Sequence, residues 1–162
     1  MPLIEALPMG VDILDKDSAP KLDLGTTWDD KVNGKRYRYV QNSTGSALAF
    51  VVGNSVLDMV ATPGVVSTDR SEAAQTERCG GIAISTLAVG EYGWVQTKGR
   101  NLTCTTNGDN DMVVGDHAII DAAADGDLDG IAIAAALTDV PVGRVVVDEA
   151  ASVVGLDLTL DW

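Results

Sequence analysis

The chain is poor in cysteine, histidine and aromatic residues, and each scarcity removes a class of protein. Two cysteines, Cys79 and Cys104, are too few for a disulfide framework or a structural zinc site. The plain reading is a buried pair of free thiols, with their redox state left open. One histidine, His117, gives the commonest general base a single location. Its neighbours Gly115 and Asp116 form no nucleophile motif, so a structural or surface role is expected, and thiol catalysis would require Cys79 or Cys104 to meet it in space. Cations are short in the second part: residues 101–162 hold Arg144 against 12 acids, and the whole chain carries a formal charge of −13. Phosphate backbones and anionic lipid repel such a surface, so neither nucleic acid nor membrane is an expected partner. No apolar run approaches the roughly 20 residues of a membrane helix. The start, Met1-Pro2-Leu3-Ile4-Glu5, lacks the basic-then-apolar pattern of a secretory signal. Glycine-rich phosphate loops are also missing. A soluble protein made in a reducing cytosol is expected, with no cofactor.

What is present is strand-forming sequence punctuated by glycine. With 162 residues, 46% of them hydrophobic, the chain suits one domain with a substantial core. Glu91-Tyr92-Gly93-Trp94-Val95-Gln96-Thr97-Lys98-Gly99 reads as the organising strand, with Tyr92, Trp94, Gln96 and Lys98 on one face and Val95 and Thr97 on the other. Lys35 to Val40 alternates charge with aromatic, predicting a strand with Tyr37 and Tyr39 on one face, Arg36 and Arg38 on the other, and one wet side. Asn33-Gly34 predicts a hairpin over residues 26–40, and Asn107-Gly108 a second tight turn. Leu102, Cys104 and Thr106 alternate with Thr103 and Thr105, and Leu156, Leu158, Leu160 and Trp162 alternate to the end of the chain. Ala47 to Val60, Ile82 to Leu87, Ile131 to Leu137 and Arg144 to Val147 supply further strands. Residues 69–78 are the one good helix-forming run, short and polar, expected to give at most a turn or two before Gly80-Gly81. Closely spaced strands with Gly, Asn and Asp turns predict an all-β, antiparallel sandwich or barrel. Helix should stay below about a fifth.

One metal motif needs weighing. Asp125-Gly126-Asp127-Leu128-Asp129-Gly130 matches the first half of a calcium loop, but Ala136 stands where a closing Glu is required. A solvated acidic turn between strands is the reading adopted, and no catalytic, cofactor or metal residue is assigned.

Residues 1–23 hold Pro2, Pro8 and Pro20 among apolar side chains without helical period, which predicts an extended N-terminal arm ahead of a β domain over 24–162. An arm of this composition should dock on something, and an ordinary first strand is the alternative.

Leu24-Gly25 with Lys35-Arg36-Tyr37-Arg38-Tyr39-Val40, Gly80-Gly81-Ile82-Ala83-Ile84, and above all Val89 to Gly99 resemble capsid decoration, or cement, proteins of tailed bacteriophages. The resemblance runs from about Leu24 to Gly155, carries no catalytic signature, and departs from the simple pattern by the Pro-containing arm. It implies a β-tulip-like domain in a homotrimer on the outer face of the virion capsid, with the major capsid protein as partner and no enzymatic activity. The alternative is a head-fibre or tail-associated β domain recognising host glycan or another virion protein. An open platform of Tyr37, Tyr39, Tyr92 and Trp94 would favour that alternative.

Overall fold

The computed structural model describes residues 12–60, 62–71, 75–109, 111–121, 123–132 and 141–160. Alternating apolar side chains with glycine at the reversals give ten strands: β1 (Thr27–Asp30), β2 (Lys35–Asn42), β3 (Ser55–Met59), β4 (Val65–Ser67), β5 (Gln75–Ala83), β6 (Tyr92–Thr105), β7 (His117–Ile120), β8 (Leu128–Ile131), β9 (Gly143–Ala150) and β10 (Val153–Thr159). There is no helix among the described residues, and about half of them are strand. The fold is all-β, as expected.

β2, β4, β3, β5 and β6 close into a five-stranded barrel, because β6 pairs with both β5 and β2. Closure leaves these strands without the open edge that invites further pairing. β1 lies outside, against β2. β6 then runs on past the barrel and carries the rest of the sheet as a wing in the order β6-β10-β9-β7-β8. Thr106, just after β6, bridges Leu128 of β8, so this wing curls back on itself. The pairings between strands are antiparallel except β2 with β4, a parallel pair that sequence spacing did not suggest.

Three apolar clusters follow from this path. Val40, Phe50, Val56, Val66, Ala83, Leu87 and Val95 fill the barrel. Cys104, Leu128, Val145, Val154, Leu156 and Leu158 fill the wing and pack against Cys79 and Ile82 of β5. Tyr37, Tyr39 and Trp94 point out of the barrel on the opposite side of β2 and β6. The face assignment along the organising strand therefore holds, with Val95 inward and Trp94 outward.

Several expectations are corrected. Residues 75–78 belong to β5, so the helix-forming run over 69–78 ends as strand, with residues 72–74 outside the described residues. Asp69 does make a cap-like bond, its Oδ1 accepting from Ser71 N at 2.9 Å, but the chain is a strand by Gln75. Gly80-Gly81 sits within that strand because side chains would collide there: a Cβ on Gly81, at φ +145°, would lie 2.6 Å from Val95. The side of β2 expected to be wet is dry at Arg38, which is 7% exposed. Its Nη2 donates to Asp58 Oδ1 at 2.5 Å, and a Cβ on Gly80 would lie 2.8 Å from that nitrogen. A buried ion pair and a wet face leave the same alternation in sequence. Leu102 is thrown outward at 54% exposure, because a register shift between β6 and β10 sends Asn101 and Cys104 inward with two outward residues between them. The Asn33-Gly34 hairpin forms, with Gly34 at φ +65° and the Asp30 carboxylate accepting from Val32 N and Asn33 N. Gly108 turns the chain too, at φ +83°, but the strand that follows pairs with β8 and β9 and makes no hairpin with β6. Ile133 to Leu137 and Trp162 lie outside the described residues.

Two stability predictions follow. Asp58→Ala removes the Asp58 carboxylate from the buried Arg38 guanidinium, an expected loss of about 3 kcal/mol. Urea unfolding measures it, and Arg38→Met with Asp58→Leu should recover most of the loss; a single-mutant cost under about 1 kcal/mol would mean that water reaches the pair. At the β9–β10 reversal, Ala151 and Ser152 both hold left-handed backbone, at φ 51° and 63°. Replacing them with Asn-Gly, the pair this turn favours, should stabilise by about 1–2 kcal/mol and raise the melting temperature.

Candidate functional site

The outward aromatic face is covered by the chain itself. Ile13, Leu22, Leu24 and Trp28 pack over Tyr37, Tyr39 and Trp94, with Trp28 stacked on Tyr37 at 5.7 Å and Tyr39 edge-on to Trp94 at 5.3 Å. Asp17 and Tyr92 exchange two backbone hydrogen bonds of 2.9 and 2.8 Å, fastening this strap to β6. Lys21 N donates to the Tyr39 hydroxyl at 3.2 Å, while Lys21 Nζ reaches Asp17 at 2.7 Å, which raises the lysine pKa. Desolvation raises the pKa of both Tyr37 and Tyr39. Gly93 lets the strap approach, since a Cβ there would sit 2.8 Å from Leu87 and 3.3 Å from Asp15 O. Of the arm expected over residues 1–23, residues 12–23 thus lie against the β domain and residues 1–11 fall outside the described residues.

Beside the strap an open groove of about 480 Å3 is lined by Ile13, Leu14, Tyr37, Val52, Ile84 and Leu102. Lys35 and Arg100 are its charged lining residues. Lys35 also borders a smaller pocket of about 250 Å3 with Lys31, Arg36 and Lys98. Arg36 Nε donates to Asp29 Oδ1 at 2.6 Å, and this bond holds the Asp29 carboxyl below the usual carboxylate range. Five cations thus gather on one side of an otherwise acidic protein. Nothing in the sequence pattern marks the groove, because Leu102 reaches it only through the register shift.

The acidic residues divide into two neighbourhoods. Asp125, Asp127 and Asp129 do not form one ligand set: Asp125 Oδ1 accepts from Arg70 N at 2.7 Å, Asp127 bonds Thr105, and Asp129 Oδ1 accepts from Gly130 N at 2.7 Å. Asp109, Asp111 and Glu149 instead bring carboxylate oxygens within 4.8 Å of one another. Hard oxygen donors of this kind suit a divalent cation such as calcium. Glu149 is already engaged, accepting from Thr106 Oγ1 and, at 3.4 Å, from Met112 N. The cluster was not legible in sequence, since Glu149 arrives from β9. Desolvation, followed by the charge and hydrogen bond of Asp109 and the charges of Asp129 and Glu149, pushes Asp111 up to about 6. Desolvation also raises Asp127, with Asp121 and Asp125 adding to it.

His117 is half-buried at the start of β7, in register with Ile131 and Arg144. Cys79 and Cys104 are free, 3% and 0% exposed, and burial pushes both thiols up to about 12. At neutral pH neither supplies a thiolate nucleophile.

No protein-family model, no curated protein and no solved structure matches the chain.

The raised carboxyls make stability depend on pH in a defined sense. A carboxyl whose folded pKa lies above its unfolded value binds protons more readily when folded, so acidification favours the fold. For Asp111 the window runs from about 6 down to the ordinary value of 3.8. The melting temperature should therefore gain from this group as pH falls from 7 toward 5, and Asp111→Asn should remove that part of the gain while raising stability at pH 7. An unchanged pH profile in the variant would show that Asp111 titrates normally.

Proposed function

We propose that the chain is a structural virion protein that binds the outside of a phage capsid, as a homotrimer, and cements neighbouring capsomers through the major capsid protein. The observation that carries this reading is the part played by β6. The stretch that bears the resemblance to decoration proteins is shared by the barrel and the wing, so all ten strands belong to one hydrogen-bonded sheet. Tension applied at either half passes to the other through backbone hydrogen bonds rather than across a flexible linker, which suits a clamp. A ligand that binds only the assembled lattice stabilises that lattice by mass action.

The feature that would favour glycan recognition is not what the aromatic residues form. Tyr37, Tyr39 and Trp94 are 5%, 0% and 1% exposed under residues of the same chain, leaving no open platform at these positions. Because residues 12–23 are tied to that layer, cutting the chain after Lys21 would strip Ile13 and the paired Asp17–Tyr92 backbone bonds from it.

Purified protein should co-sediment with assembled phage shells and not with free capsid subunits, and its mass in solution should be three times that of the chain. Equal binding to free subunits, or a monomer both in solution and on the shell, would count against cementing.

A further inference from the structure

Two patches of exposed apolar side chain lie beside charges of opposite sign. The first is the groove next to the strap, where Leu14, Val52 and Leu102 are exposed and the charged lining residues are Lys35 and Arg100. The second is on the wing. There the segment leading into β7 carries Val113 and Val114, 52% and 59% exposed, beside the exposed carboxylates of Asp111 and Asp148. Hydrogen bonds hold this knob on β9: Gly115 N donates to Val145 O at 3.0 Å, Glu149 N to Met112 O at 2.9 Å, and Val114 N to Asp148 Oδ1 at 2.6 Å.

With β10 and β9 between the knob and Leu102 on β6, the two patches are separated by roughly three strand spacings, about 14 Å. The knob therefore cannot enter the groove of its own chain without breaking the bonds that hold it. A second copy can bring one. Chains that each carry −13 repel, so copies approach most readily where unlike charges face each other. Lys31, Lys35, Arg36, Lys98 and Arg100, five of the eleven Lys and Arg, line the groove and the smaller pocket beside it. The wing supplies the opposite sign, since residues 101–162 set Arg144 against 12 acids.

We propose that the groove takes the Val113–Val114 knob of a second copy, head to tail, setting the Asp148 side of one chain against Lys35 and Arg100 of the next. Burial of the valines against Leu14, Val52 and Leu102 supplies the attraction, and the charges set the orientation. Because the two surfaces differ, each copy keeps one of them open until a ring closes, and three-fold symmetry requires a contact of this heterologous kind. That the ring holds three copies rests on the proposed function, whereas the contact itself needs neither shell nor capsid protein.

Sedimentation velocity of the full chain and two surface variants tests it. Leu102→Asp disables the groove and Val114→Asp the knob; both positions are exposed, so circular dichroism should show the fold retained. The wild type should assemble at micromolar concentration, and each variant alone should need at least about tenfold more protein, the change expected on losing one buried apolar side chain. An equimolar mixture of the two should recover a complex of one copy of each and nothing larger, because one intact knob meets one intact groove and the series of contacts stops there. Leu102→Ala and Val114→Ala, which bring no charge, should repeat the pattern more weakly. Variants that assemble like the wild type, a mixture that stays monomeric, or a wild type that is monomeric throughout would overturn the contact. A wild-type mass of two chains would overturn the head-to-tail arrangement. A chain that fails here yet co-sediments with phage shells leaves the capsid reading standing, and one that assembles as stated without binding shells sinks that reading alone.

Discussion

The fold depends on one strand staying hydrogen-bonded while its backbone departs from regular β geometry. β6 leaves the barrel at Lys98 to Arg100, where Gly99 takes φ +83° and a Cβ would lie 2.4 Å from Gly34 O. Glycine is required there on both counts. The buried Gln96 side chain supports the irregularity, its Nε2 donating to the carbonyls of Lys98, Gly99 and Arg100 at 3.0 to 3.2 Å. Asn101 Nδ2 donates in turn to Gln96 Oε1 at 3.2 Å, and Asn101 Oδ1 accepts from Thr103 N. These two amides satisfy polar groups that would be costly to bury unpaired. Through them the barrel and wing cores, built from separate residues, are joined by continuous backbone.

The dry Arg38–Asp58 pair adds a different constraint. Neutralising one partner leaves a charge inside the barrel, and Gly80 and Val66 hem in the space available for adjustment. Such a pair contributes little net stability beside apolar residues of equal volume, but it disfavours registers of β2, β3 and β5 in which the two charges do not meet. The parallel β2–β4 contact in the same barrel rests on only two residue pairs.

How much of this was legible follows from the range over which each feature is decided. The alternation of Leu156, Leu158 and Leu160, the Tyr92–Trp94 face and the Asn33-Gly34 turn are set by neighbours within a few residues, and the sequence displays them. Barrel closure, the Leu102 register shift and the meeting of Asp109, Asp111 and Glu149 depend on which strands come together across the chain, and local pattern is silent on that. The helix-forming run at residues 69–78 ends as strand for a related reason. Its helix-forming composition argued locally for a turn of helix, while the pairing of Gln75 with Met59 of β3 drew its end into strand. The groove was missed because no alternation announces an irregular strand.

The uneven distribution of charge has a physical consequence of its own. Residues 1–100 sum to −2 and residues 101–162 to −11, so the negative charge is weighted toward the wing while Lys31, Lys35, Arg36, Lys98 and Arg100 gather beside the barrel. The molecule therefore carries a permanent electric dipole as well as a net charge. In the field of a charged surface it experiences a torque before contact, within about a Debye length of roughly 8 Å at physiological salt. Against a negative surface that torque turns the barrel forward and the wing away, so the first encounters are already sorted by orientation.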